Sequence, residues 1–220
     1  MVPVNIIEGN IFNSRCQTIV NTVNCFGVMG KGIALTYRFL LPEMYLKYKK
    51  MCDDKVLDIG KLWVYKYREQ KWILNFPTKY HWKFPSKIEY IEKGLQKFVS
   101  SYEEKNIKSI AFPMLGTTNG GLDEDIVLQL MLHNLEKCAI EIEIYKFSQS
   151  SQDMLLMDFK KQFYSMELNE VAQLWGIPKT SIERIDKAFK YGEVNSIIEL
   201  TNIDGVGEKT TQKLFNQINL

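Results

Sequence analysis

Two histidines and four scattered cysteines are the only imidazole and thiol ligands in this chain of 220 residues. Cys16, Cys25, Cys52 and Cys138 form no CxxC pair, and neither His81 nor His133 stands beside one. The sequence therefore gives no support for a zinc site, and lone thiols fit a reducing compartment. Apolar runs are short, none approaching the ~20 residues that cross a bilayer. The first residues lack the basic, apolar and small-residue order of a secretion signal. The expectation is a soluble, cytoplasmic protein with no membrane association, no metal and no cofactor. Charge is almost balanced, with 28 Lys and Arg against 26 Asp and Glu, a net +2. Whole-surface attraction to nucleic acid is thus weak, and any such role has to rest on local features.

What is present is a globular composition, 45% hydrophobic and 25% charged. Val4–Ile7 reads as a strand stopped by Gly9-Asn10, and Gln17–Val23 as a second, rich in β-branched residues. A helical pattern follows from about Ile33 to Lys50, interrupted at Pro42. Leu62–Tyr67 and Trp72–Phe76 read as a hairpin, joined across Arg68–Lys71. Ser86-Lys87-Ile88-Glu89 has capping-box spacing, and Ile88, Ile91, Leu95, Phe98 and Tyr102 then fall on one helical face. Ser109–Leu115 is a strand, a helix runs to about Lys137, and Ile140–Phe147 is the last strand. Strands alternating with helices predict a largely parallel sheet covered on both faces. Ser148–Gln152 is a polar break, and beyond it only short helices are expected.

Two glycine-rich segments, Gly27–Gly32 and Gly116–Gly121, stand where a strand hands over to a helix. In open α/β sheets ligands bind at such strand ends. Glycines allow close backbone approach, and the N–H groups at a helix start attract anions, so the first loop suits a diphosphate. It lacks the Gly-Lys-Ser/Thr of a Walker A loop and the GxGxxG of a dinucleotide fold. Two such loops at adjacent strand ends can clasp one ligand from both sides.

Asn21-Thr22-Val23-Asn24, Gly27–Gly32, Phe76-Pro77-Thr78-Lys79 and Gly120-Gly121-Leu122-Asp123 together resemble the macrodomain family. The likeness is greatest to the subgroup of the terminal ADP-ribose protein glycohydrolase and the DarG antitoxins. Val28–Ala34 and Asn75–Trp82 carry it almost residue for residue, as does the helix start Ser86–Leu95, and it spans roughly residues 1–147. The resemblance implies a three-layer α/β/α fold with a mixed, mostly parallel sheet over residues 1–150. A linker over 151–164 and a small all-α domain over 165–220 would follow it.

By the same resemblance the ligand is ADP-ribose. Asn21 and Asn24 would face its distal ribose. The first loop, Gly27, Val28, Met29, Gly30, Lys31 and Gly32, would wrap the diphosphate, with Thr78 alongside. Leu115, Gly116, Thr117, Thr118, Asn119, Gly120, Gly121 and Leu122 would close over it from the other side. Most macrodomains have Gly-Asp after the first strand, where the Asp accepts from the adenine amino group; here Gly9-Asn10 replaces it, with Ile11 next. An amide oxygen accepts more weakly than a carboxylate. Phe147 is the candidate to stack on adenine, with a core position as the alternative. Asn24 has the alternative of an Asx turn.

Lys79 and Asp123 match the catalytic pair of these glycohydrolases. The lysine acts at the anomeric carbon, in one version through a Schiff base, which needs an amine freed below its usual pKa of ~10.4. Asp123 would take a proton or resolve the intermediate, although it also stands where a helix N-cap belongs. DarG proteins carry Trp after this Leu-Asp, and this chain has Glu124. Trp82 is a candidate to stack on a base, with a packing role as the alternative, and Lys83 and Lys87 are candidate phosphate contacts, with a solvated face as the alternative.

Near the C-terminus, Ile203–Thr210 resembles the turn of a helix-hairpin-helix motif. Gly205, Val206, Gly207 and Lys209 would then meet a DNA phosphate without reading sequence. Gly176–Thr180 would be a degenerate first copy of a tandem pair. Helix-turn-helix spacing through Ala172, Gly176 and Ile182, or a module for a protein partner, are the alternatives.

The resulting expectation is a hydrolase that removes ADP-ribose from thymidine in single-stranded DNA, an antitoxin opposing a DarT-type toxin. A non-catalytic ADP-ribose reader, or a hydrolase of protein-linked or small ADP-ribose derivatives, are the alternatives.

Overall fold

The computed structural model describes residues 3–148, 150–218 and 220. Gln149, inside the polar break expected above, lies outside the described residues. Six strands form one sheet in the order β1-β6-β5-β2-β4-β3. They are β1 (Val4–Glu8), β2 (Thr18–Asn24), β3 (Trp63–Arg68), β4 (Lys71–Lys79), β5 (Ser109–Pro113) and β6 (Glu141–Lys146). All neighbours pair parallel except β3 with β4, the antiparallel hairpin.

Side chains alternate across the pleat, so each strand feeds two cores. Val20, Leu74, Phe76, Ile110, Phe112 and Ile144 join one, under α3 (Ile88–Val99) and α4 (Glu124–Leu135). Ile19, Val23, Ile73, Ala111 and Tyr145 join the other, under α1 (Gly32–Leu40) and α2 (Pro42–Asp53). This is the expected three-layer fold. Every parallel strand ends at the same edge; Lys79 ends β4 there, and Gly9-Asn10, both glycine loops and Phe147 follow strand ends there.

Three local readings need correction. β4 does not stop at Phe76 but runs through Pro77 to Lys79. Its pairing with β3 ends at Asn75, so beyond that point it has one neighbour, β2, and a proline lacking N–H is tolerated there. Ser86 is not the N-cap of α3; Lys87 is, with no side-chain cap. Ser86 is held instead by its own N–H donating to the Gly120 carbonyl at 2.9 Å, with its hydroxyl buried against the second loop. Finally, the segment expected as a linker over 151–164 contains α5 (Met154–Tyr164). Asp153 caps it, and Leu156, Phe159 and Phe163 bury one face, so the periodicity of a packed helix runs straight through that span.

The C-terminal region is all-helical: α5, α6 (Leu168–Trp175), α7 (Lys179–Lys190), a 3-10 helix (Ile197–Asn202) and α8 (Glu208–Phe215). It has its own core around Phe159, Phe163, Trp175, Ile185 and Leu214. Phe39 of α1 belongs to that core, and Gln212 donates to its carbonyl at 2.8 Å. Arg38 pairs with Glu208, and Asn13 exchanges hydrogen bonds with Gln152 and Met154.

Candidate functional site

At the C-terminal edge of the sheet lies a cleft of about 760 Å³, within the range of small-molecule sites. Both glycine loops wall it. No side chain caps the first turn of α1, so the N–H groups that open this helix remain available to an anion. The two loops approach each other closely. Gly32 has φ +56°, and a Cβ there would lie 3.0 Å from the Asn119 amide nitrogen. At Gly120 a Cβ would lie 2.1 Å from the Gly116 carbonyl oxygen, so only glycine lets the second loop fold back on itself. That loop is closed by Gly121 N–H donating to Thr117 and Leu122 N–H donating to Gly116.

Lys79, the last residue of β4, lies where the loops meet. Its ammonium donates to the Asn119 carbonyl, joining β4 to the second loop. Loss of hydration in the cleft, and then repulsion from Lys31 on the first loop, lower its pKa. The four thiols are different. Burial raises Cys25 to about 12 and Cys16, Cys52 and Cys138 to about 11, which leaves them protonated and poor nucleophiles. Among the described residues no cluster of three or more His, Cys, Asp or Glu is arranged to hold a metal.

The cleft wall includes most of the expected ligand residues. Asn10 and Ile11 stand at the β1 end, and Phe147 presents a ring that is 70% exposed. Asn10 Oδ1 accepts from Phe12 N–H at 3.0 Å, which leaves that oxygen one further lone pair for a ligand. Val28, Gly30, Lys31 and Gly32 line the cleft from the first loop, Thr78 from β4, and Gly116 to Gly120 from the second loop, with Leu115 excepted. Trp82 and Lys83 form the rim beyond Lys79. Around them Phe26, Trp82 and Phe84 are exposed, and the His81 ring lies 4.2 Å from that of Phe26 and 5.7 Å from that of Trp82.

Other expected residues are elsewhere. Asn21 is fully buried; its amide donates to Asn75 Oδ1 at 2.9 Å, and the pair faces the α2 layer, where Asn75 meets Met44. Odd positions of β2 point to that layer, so Asn21 cannot face a ribose in the cleft. Asn24 does reach the wall, but its side chain is spent on the loop. Its oxygen accepts from Phe26 and Val28 N–H, and its nitrogen donates to Val28 O at 2.6 Å. It is an Asx turn that shapes the first loop, the alternative expected for it, at a position that still lines the cleft. Gly27, Met29, Leu115, Gly121 and Leu122 support the loops from outside the wall.

Asp123 is also outside it. Its carboxylate accepts from Ile126 N–H at 3.0 Å and caps α4, the second of the two roles expected for it. What the sequence reading missed is the far wall: Asp153, Ser196, Ile197 and Ile198 of the helical region line the same cleft. The signals were legible. Ser196-x-x-Glu199 is a capping-box spacing that the structure realises, and Asp153 precedes an apolar helical period.

The family model for the macro domain matches residues 20–131. The chain belongs to the macro domain family. This macrodomain is 40% identical over 144 residues to a protein of Thermus aquaticus named DNA ADP-ribosyl glycohydrolase, covering 64% of this chain and 40% of that protein. It therefore spans well under half the length of that relative. Among solved structures, the macrodomain of Mycobacterium tuberculosis DarG is similar with a TM-score of 0.64 at 39% identity, over 67% of this chain and all of that one. The structure of Thermosipho africanus DarTG in complex with ADP-ribose gives 0.62 at 40% identity, over 65% of this chain and 41% of that one.

The helix-hairpin-helix-like residues sit in the turn between the 3-10 helix and α8. Gly205, Gly207 and Lys209 are exposed and Val206 is buried. Arg184 donates to Asp204 O at 3.3 Å, and Lys213 donates to Gly176 O, which ties this turn and the Gly176 turn into one unit.

Proposed function

We propose that this macrodomain binds ADP-ribose and hydrolyses the bond that joins its distal ribose to a thymidine base of single-stranded DNA. The observation that carries the reading is the Lys79 amine, held at the junction of two anion-binding loops with its pKa lowered. The diphosphate lies against the α1 N-terminus and the second loop, which brings the anomeric carbon of the distal ribose to Lys79. The free amine adds to that carbon, and the base departs with a proton. The ring C–O bond then opens, its oxygen taking a proton, and water hydrolyses the resulting imine, releasing ADP-ribose and restoring the amine. DNA is favoured over other carriers by the rim: exposed Phe26, Trp82 and Phe84 offer stacking surfaces, with Lys83 for a phosphate. The names of the relatives point the same way.

The resemblance to DarG antitoxins further implies a cytoplasmic role opposing a DarT-type transferase. In the helical region, the exposed Gly205–Lys209 turn is proposed as a sequence-independent phosphate contact.

The test is to offer single-stranded DNA and protein carrying the same ADP-ribose mark and to follow release. Release from DNA is the expected result. Tight ADP-ribose binding with no release from either carrier makes the protein a reader, and release from protein alone overturns the DNA assignment.

A further inference from the structure

The nucleotide cleft is completed by a segment that lies outside the macrodomain match. That match ends at residue 131, yet Ser196, Ile197 and Ile198 line the cleft. Their position follows from how they are tied down. Asp153 is buried, and both its carboxylate oxygens are engaged: Oδ1 accepts from Leu156 N–H of α5 at 3.0 Å, Oδ2 from Ile197 N–H at 2.8 Å. One carboxylate thus starts two helices, one of them 44 residues away. The same corner is fixed to the macrodomain by Asn13, just after β1, which bonds Gln152 and Met154. The wall therefore stands at the β1/β6 end of the cleft, with Asn10 and Phe147, opposite the end that holds Lys79.

Resting on the ADP-ribose reading above, we propose that the start of this 3-10 helix is the outer wall of the adenosine end and sets selectivity for the base. At this end of the cleft Asn10 Oδ1 keeps a free lone pair and Phe147 is exposed, an acceptor and a stacking face for a base. Ile198 is only partly buried, so part of its side chain is available to a planar base. Asp153 is a positioning residue that holds the wall and has no need to touch the ligand.

Hydrogen exchange on the full, unaltered chain tests this directly, with and without ADP-ribose. Slowed exchange is expected at the first loop, residues 27–32, and equally at residues 196–200. Calorimetry with Ile198→Asp and Ile198→Ala supplies the second readout. Affinity for ADP-ribose should fall about tenfold, and the preference for ADP-ribose over UDP-ribose should shrink, with the melting temperature near wild type. Protection confined to the glycine loops, with both variants binding as wild type, overturns this wall while leaving the ADP-ribose reading intact. Absence of any ADP-ribose binding or loop protection removes both.

Discussion

In the proposed reaction Lys79 is the residue on which the chemistry turns, and its environment makes a pH prediction. An attacking lysine must be neutral, so the release rate rises with pH through the Lys79 pKa, which dehydration and Lys31 hold below the usual lysine value. Lys31→Gln removes the repulsion, raises that pKa, and moves the midpoint of the pH–rate profile upward, slowing release at neutral pH. An unmoved midpoint would detach Lys31 from the activation of Lys79. Asp123 makes a different prediction. As the N-cap of α4, Asp123→Ala should cost about 1 kcal/mol of stability, whereas Asp123→Asn, an equally good cap, should cost almost none. Thermal melts of the pair read this out. Any loss of release rate in Asp123→Asn then belongs to chemistry and not to the fold. Residue identity alone could not separate these roles, because an aspartate before a helix is a sound cap and a sound base. The direction of its carboxylate shows the cap, and the rate of Asp123→Asn reads the base. Asn21 was illegible for a related reason: its motif was visible, but which face of β2 it occupies depends on strand register.

At the scale of elements the sequence was most readable where periodicity is strong. Every strand and the helices of the macrodomain fall where alternation and the 3.6-residue period put them, within a few residues. Where it misled, a tertiary contact won. Ser86 has the spacing of a cap but is recruited by the second loop through Gly120. β4 runs past Pro77 because β3 has already ended. The span 151–164 was read as a linker from its polar opening, although Asp153 and the Leu156-Phe159-Phe163 stripe mark a helix. The second loop carries its own prediction. A methyl at Gly120 has no room beside the Gly116 carbonyl. Gly120→Ala should therefore destabilise the protein by about 1–3 kcal/mol and displace Asn119 from Lys79, weakening ADP-ribose binding as seen by calorimetry. Wild-type affinity in that variant would show that the fold-back is not needed to form the cleft.

The whole molecule is a macrodomain whose ligand cleft borrows a wall from the helical region that follows it. α1 is shared between them: its N-terminus opens onto the cleft, and Phe39 near its C-terminus enters the helical core. The exposed turn through Gly205, Gly207 and Lys209 predicts a salt-sensitive contact with DNA. Lys209→Ala should weaken single-stranded DNA binding uniformly across sequences and reduce the slope of log affinity against log salt by about one; an unchanged slope would argue for a protein partner there. The most direct measurement is single-turnover release of ADP-ribose from ADP-ribosylated single-stranded DNA by wild type and by Lys79→Ala, with ADP-ribose affinity measured in parallel. The expected result is a loss of at least about 100-fold in rate with binding largely retained. Equal release by the variant would contradict the assignment of Lys79 to the chemistry.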